Sequence, residues 1–293
     1  MMKIFISGAS GLVGGNAHDY FTTMNCYVLG THLSYPLPHT QYFNTLEPNH
    51  PMNVDIDAFA PEVIVHCGAL THVDYCEQEV EESYSKTVIS TKNLVALAKK
   101  YHARFVYIST DYVFDGQRGM YTEEDQVNPL SIYAKHKLEA EQYVMNEMGG
   151  AALVLRITNV YGDEARHKNF VARIIQQCKA GDPIVLKLPY DQYATPVNAY
   201  DVARAMYLLL RDGHSGIYHI ASTDWMNRVE LAKRVLSYFP GKEYHLEALS
   251  TLALKQPAKR PLKGGLHAGK FSALYPTFEF SNIDDYVKKV TLY

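Results

Sequence analysis

The chain has 293 residues, 47% of them hydrophobic and 20% charged, a balance that builds a substantial globular core and excludes disorder. A formal net charge of -3 provides no basic field for nucleic acid or an anionic membrane, and no apolar run approaches the ~18 residues of a membrane span. Four scattered cysteines (Cys26, Cys67, Cys76, Cys178) form no Cys-x-x-Cys pair, and the 13 histidines show no metal-binding helical pair; the expectation is a reduced, cytoplasmic protein without a metal site or signal peptide.

The chain opens with Lys3-Ile4-Phe5-Ile6-Ser7, a short strand, and breaks into Gly8-Ala9-Ser10-Gly11-Leu12-Val13-Gly14. In this Gly-x-x-Gly-x-x-Gly pattern, Gly8 permits a sharp turn and Gly11 leaves room for a pyrophosphate. Gly14 lets the following helix pack close to the sheet. Amides near Ser10, Leu12 and Val13 would then face phosphate oxygens at a helix N-terminus. The second strand, Cys26 to Gly30, completes the context of a dinucleotide site. Where an acidic residue would hold the ribose 2′-OH of NAD, the sequence reads Thr31-His32-Leu33-Ser34. This leaves room for a 2′-phosphate with Thr31, His32 and Ser34 as donors, although no arginine stands there; NADP(H) is favoured over NAD(H).

Residues 35–51 lack apolar periodicity and read as an irregular connection. Strands are expected at Val63 to Ala69, Arg104 to Ser109 and Ala152 to Ile157, with a helix from Glu77 to Lys100 and another from Ser131. The alternation predicts a doubly wound parallel α/β sheet of Rossmann type. Beyond Thr158 it loosens, with helices near 169–180, 199–210 and 228–238 and strands at 184–187 and 217–220. The expected division is a nucleotide-binding domain of residues 1–157 with a returning segment at about 195–222, and a smaller α+β substrate lobe of 158–194 and 223–293.

Tyr133 and Lys137 lie four apart on one predicted helix and share a face. An ammonium beside the phenol would pull its pKa down toward the working range, making Tyr133 a candidate general acid. The same spacing recurs at Tyr238 and Lys242, but Pro240 and Gly241 break the helix needed to align them. Thr110, at the end of the fifth strand, carries a hydroxyl able to bond the oxygen that Tyr133 would protonate.

With these residues in view, the chain resembles the extended short-chain dehydrogenase/reductase superfamily, and within it the dTDP-4-dehydrorhamnose reductase group. The resemblance rests on Gly8 to Gly14, Ala69-Leu70-Thr71-His72-Val73-Asp74-Tyr75-Cys76-Glu77 and, most specifically, Ser109-Thr110-Asp111-Tyr112-Val113-Phe114-Asp115-Gly116. Tyr133 to Lys137, Asn169-Phe170, Asp191-Gln192 and Pro257-Ala258-Lys259-Arg260-Pro261 extend it. It implies NAD(P)H-dependent reduction of a 4-keto-6-deoxy sugar on a nucleoside diphosphate, with Tyr133 as proton donor, Lys137 on the nicotinamide ribose and Thr110 orienting the carbonyl. It also implies adenine contacts at Asp55 and Ile56, and Cys67, Gly68, Ala69 and Leu70 beneath the cofactor. Substrate contacts are implied at Thr71, Val73, Asp74, Asp111, Tyr112, Asn159 and Arg260, and a homodimer is the expected assembly.

The sequence departs from the group in three places. The segment Arg156 to Gly162 lacks its usual tryptophan, and Asn159 is instead similar to an asparagine that holds the substrate diphosphate elsewhere in the superfamily. Thr87 and Ser90 replace a common asparagine and glycine. Tyr112 stands where 4,6-dehydratases carry glutamate, which disfavours dehydration. Two alternatives stay open: an NAD-dependent epimerase, and a non-catalytic NADP-binding subunit, because the regulatory β subunit of methionine adenosyltransferase resembles the same reductase group.

Overall fold

The computed structural model describes residues 1–181 and 183–291. Its first half alternates strands and helices: β1 (Lys3–Ser7), α1 (Leu12–Thr23), β2 (Tyr27–His32), β3 (Thr40–Tyr42), α2 (Ile56–Phe59) and β4 (Val63–His66). Then come α3 (Val73–Gln78), α4 (Val80–Tyr84), a π-helical turn at Ser85–Ile89, α5 (Ser90–Tyr101), β5 (Arg104–Thr110), α6 (Ile132–Met148) and β6 (Ala152–Ile157). The second half contributes α7 (Phe170–Ala180), β7 (Ile184–Pro189), β8 (Tyr193–Ala194), α8 (Ala199–Arg211), β9 (Gly216–Ile220) and β10 (Met226–Asn227). It ends with α9 (Arg228–Leu236), β11 (Tyr244–Leu249), α10 (Gly269–Leu274) and α11 (Ile283–Thr291).

Seven strands form one sheet in the order β3-β2-β1-β4-β5-β6-β9, with every pairing parallel. Alternate residues of β1 serve opposite faces: Ile4 and Ile6 join the apolar layer beneath α1 and α8, and Phe5 joins the layer beneath α5 and α6. Strands buried on both sides must be apolar almost throughout, as these are. The strand order reverses direction between β1 and β4. A ligand crevice therefore opens at their carboxyl ends, where the glycine-rich turn lies. The doubly wound parallel sheet expected from the sequence is present.

Three local expectations need correction. Residues 40–42 are not irregular: they add an edge strand beside β2, with Gly30 opposite Thr40 and His32 opposite Tyr42. Three residues are too few for a period to register in the sequence. The single helix expected over 77–100 breaks at Glu79 (φ -115°, ψ 67°) and passes through the π-helical turn before α5. No strand is singled out beyond residue 220, yet β11 pairs in parallel with β7 over six residues.

A second apolar cluster gathers Ile174, Ile175, Val229, Leu231, Val235 and Val287 from α7, α9 and α11, separate from the two layers of the large sheet. The chain returns to that sheet with α8 and β9, and Tyr20 of α1 meets Tyr200 and Tyr207 of α8 edge to face. Among the described residues no helix is long and apolar enough to cross a membrane.

Helix α6 is held to the sheet by a buried ion pair. Glu141 accepts from Arg156 of β6 through Nε (3.1 Å) and Nη2 (2.5 Å) and from the Ser109 hydroxyl of β5 (2.7 Å). Removing one partner strands a charge in the core. Arg156→Met should lower stability by about 3–5 kcal/mol, and the double variant Arg156→Met/Glu141→Leu should recover most of that loss. Urea unfolding of the three proteins checks this; equal midpoints for wild type and single variant would contradict it.

Candidate active site

The turn after β1 leaves little freedom in sequence. Gly8 takes φ +80°, and a side chain there would lie 2.9 Å from the Gly68 amide. A side chain on Gly14 would lie 2.3 Å from the Gly8 carbonyl oxygen. This packing brings the start of α1 against β1 and β4, so amides at the helix N-terminus open onto the crevice. The crevice is a cavity of about 760 Å³, in the upper part of the ~300–1,000 Å³ range of ligand sites.

Most of the residues singled out in the sequence line this one cavity. Gly8, Ser10, Gly11, Leu12, Val13 and Gly14 form one end with Thr31 and His32, and Cys67, Gly68, Ala69 and Leu70 form the floor. Thr110, Tyr133 and Lys137 line the wall at the carboxyl end of β5, beside Thr71, Val73, Asp111, Tyr112 and Asn159. Four do not reach it. Asp55 caps α2 by accepting from the Ala58 amide (3.0 Å), and Ile56 is buried in the core. Asp74 and Arg260 form a bidentate pair (2.8 and 2.7 Å) that ties the 257–261 loop to α3. The Arg260 guanidinium, implied as a substrate contact, is engaged by that carboxylate, and the contact holds Asp74 below the usual carboxylate range.

The electrostatics of Tyr133 and Lys137 differ from the expectation. Burial raises the Tyr133 phenol above its ordinary value, while the Thr110 hydroxyl acts in the opposite direction. The Lys137 ammonium donates to the Ile108 carbonyl and sits 4.1 Å from the Tyr107 ring centroid. Desolvation pulls Lys137 down to about 7. The phenol keeps its proton at neutral pH, and the amine is the group poised to change charge there.

The floor is inert by the same logic. Burial pushes the Cys67 thiol up to about 12 and the His66 imidazole down to about 3, and His66 shares a 2.9 Å hydrogen bond with Ser7. The second Tyr-x-x-x-Lys pattern forms no site: Tyr238 lies beyond the end of α9 and donates to Asp284 (2.7 Å). Away from the cavity, His18, Asp19 and His39 offer nitrogen and oxygen atoms within 4.8 Å of one another, a grouping that no regular spacing announces.

Four cations line the cavity that the sequence reading did not single out, and one of them, Lys86, is paired with Glu82. Arg228, the first residue of α9, donates to Asn159 Oδ1 (2.7 Å), its one hydrogen-bond partner among the described residues, and lies 5.0 Å from the Phe170 ring centroid. Asn159 takes a left-handed φ of 39°, which directs its amide toward α9. Arg166 and Lys168 come from the loop before α7. The available signal was the charged run Asp163-Glu164-Ala165-Arg166-His167-Lys168 just after a strand end, where open α/β sheets place ligand loops.

A parallel doubly wound sheet with a glycine-rich first turn, and a hydroxyl, a phenol and an amine gathered above its crevice, defines an extended short-chain dehydrogenase/reductase. Residues 2–290 match the family described as RmlD substrate binding domain, and the chain belongs to that family. It is 30% identical over 277 residues to bovine methionine adenosyltransferase 2 subunit beta, covering 93% of this chain and 82% of that protein. A Haloferax volcanii protein described as the probable low-salt glycan biosynthesis reductase Agl14 is 28% identical, with 95% of each chain covered. Among solved structures, a dTDP-4-dehydrorhamnose reductase from Clostridium acetobutylicum superimposes with a TM-score of 0.82 at 29% identity over 99% of each chain.

The shifted lysine has a measurable consequence. Unfolded, Lys137 holds its proton up to its ordinary 10.5; folded, it releases it above about 7, so the unfolded state binds more protons between those values. Stability from this residue therefore rises with pH across that window, by up to about 1.4 kcal/mol per pH unit. Relative to Lys137→Met, the wild type should gain stability from pH 7 to 9.5 in urea unfolding; parallel pH profiles would refute the assignment.

Proposed function

We propose that the protein reduces the ketone of a nucleoside-diphosphate-linked 4-keto-6-deoxy sugar, with NADPH as the reductant. The observation that carries this reading is one cavity with a dinucleotide cradle at one end, Thr110, Tyr133 and Lys137 on its wall, and an Asn159–Arg228 pair beyond them. The cradle fits the cofactor on its own terms, because Gly8 and Gly14 admit no side chain and the amides of α1 open toward the cavity.

When bound, NADPH supplies the hydride. The protein's own groups do the rest. Tyr133, held protonated by burial, gives its proton to the carbonyl oxygen as that oxygen gains negative charge. Thr110 donates to the same oxygen and fixes its position between two hydroxyls. Lys137, at the base of the wall, supplies donors to the cofactor ribose. Arg228, which forms no carboxylate ion pair among the described residues, meets the substrate diphosphate, and Asn159 orients it. Tyr112 packs edge to face on Tyr133 (5.9 Å between centroids) and closes the wall where a dehydratase needs an acid.

Mixing the purified protein with NADPH and a dTDP-4-keto-6-deoxy sugar should consume NADPH absorbance. Tyr133→Phe should lower kcat by about 10²-fold or more, with NADPH affinity changed less than about twofold. An unaltered rate would remove Tyr133 from the reaction. Arg228→Ala should raise KM for the nucleotide sugar by about tenfold or more while leaving NADPH affinity in place.

The similarity to methionine adenosyltransferase 2 subunit beta over 93% of the chain supports a second reading, a dinucleotide-binding subunit without turnover. Tight NADPH binding with no oxidation by any of a panel of nucleotide sugars would favour it.

A further inference from the structure

The end of β2 has no arginine, yet an arginine reaches that end of the crevice from elsewhere. Arg166 lies in the loop between β6 and α7 and lines the cavity. Its Nη2 is 4.0 Å from the point where a side chain on Gly11 would begin, and its guanidinium carbon is 5.4 Å from the ring centroid of Tyr35. Tyr35 directly follows Ser34 in the segment leaving β2, the place where such folds read the adenosine ribose. The guanidinium thus stands between the second glycine of the turn and the ribose-reading segment.

Its hydrogen-bonding capacity is underused. Arg166 Nε is buried with no hydrogen-bond partner among the described residues. The nearest carboxylate, Glu164, approaches Nε only to 3.8 Å. The other oxygen of that carboxylate, Oε2, accepts from the amides of Lys168 (2.9 Å) and Asn169 (3.1 Å) and from the Asn169 side chain (3.3 Å), which holds Glu164 on the loop backbone. The loop is also held in place without a ligand: Asn16 of α1 donates to the Asp163 carbonyl (2.9 Å), and Asn169 donates to the Gly162 carbonyl (3.0 Å). An arginine on a preset loop, stacked on an aromatic ring and short of partners, matches a phosphate monoester, whose oxygens accept bidentate hydrogen bonds.

We propose that Arg166 receives the ribose 2′-phosphate of NADP(H) and is the residue that discriminates it from NAD(H). Thr31, His32 and Ser34 then serve as the neutral side of a phosphate pocket whose charge arrives across the crevice. The inference rests on the dinucleotide reading of the site, and it separates Arg166 from the chemistry, because the adenosine end lies away from Tyr133.

Binding is measured by titrating the full chain with NADPH and, separately, NADH, following cofactor fluorescence. Wild type should prefer NADPH. Arg166→Ala should weaken NADPH by about 30-fold or more while NADH changes less than about threefold, the pattern of a lost charge-assisted contact to one phosphate. Retained NADH binding also reports that the variant is folded. If Arg166→Ala loses both ligands, Arg166→Lys decides: a selective loss of NADPH supports the proposal, and equal losses assign the residue to the pyrophosphate and overturn it. An unchanged preference in Arg166→Ala, or a wild type that favours NADH, overturns it alone. A wild type that binds neither dinucleotide overturns both this inference and the reading beneath it.

Discussion

The carboxylate of Glu141 fixes how α6 sits against the sheet. It lies one turn beyond Lys137 on α6 and is gripped by Ser109 of β5 and Arg156 of β6, so the helix cannot rotate without breaking a buried ion pair. Rotation is the motion that would matter, because Tyr133 and Lys137 share a face only while that face looks toward the end of β5. A pair exposed to water would hold α6 weakly. At 2–4% side-chain exposure the same groups become a strong orientational constraint, since leaving either charge alone in the core is costly. Thr110 ends the same strand that carries Ser109, so one local clamp sets the separation between the hydroxyl and the helix bearing the phenol.

The sequence was most legible where a single residue type is required by sterics. Gly8 and Gly14 fall where any side chain would overlap backbone, and apolar strands are forced by burial on both faces. The phenol, amine and hydroxyl were found because their spacing and strand-end position are themselves structural statements. Direction was harder. Nothing in a four-residue spacing tells that Lys137 donates to the Ile108 carbonyl, because that depends on how deep α6 sits against β5. Asp74 and Arg260 were individually recognisable from their motifs. Their mutual pairing depends on where the 257–261 loop lands, 186 residues further along the chain. Arg166 and Arg228 escaped because loop and helix-start arginines are common, and only the fold brings these two to the crevice.

Burial raises the phenol and lowers the amine, and these opposite shifts have one cause: low-dielectric surroundings disfavour the charged form of either group. For a reductase this arrangement is serviceable. A proton donor must hold its proton until negative charge develops on the substrate oxygen, and a phenol raised by desolvation does so at neutral pH. An amine lowered to about 7 can regain its full charge when polyhydroxylated and anionic ligands enter the crevice and return some of the polarity that burial removed. The expected lowering of the phenol is opposed by burial, which acts on it more strongly than any neighbouring group.

That same cost bears on the choice between an enzyme and a binding subunit. Keeping a lysine almost fully buried, with no carboxylate ion pair among the described residues, sacrifices stability on the order of a few kcal/mol, a cost that a surface used only for docking does not require. Dinucleotide binding alone would account for the glycine turn and even for Lys137, because an amine can hold a ribose. It gives no role to Thr110 acting on the Tyr133 phenol, nor to Arg228 held beside Asn159 at the far end of the same cavity. The proposed reaction would give both a role, since its substrate carries an oxygen to protonate and an anion to anchor.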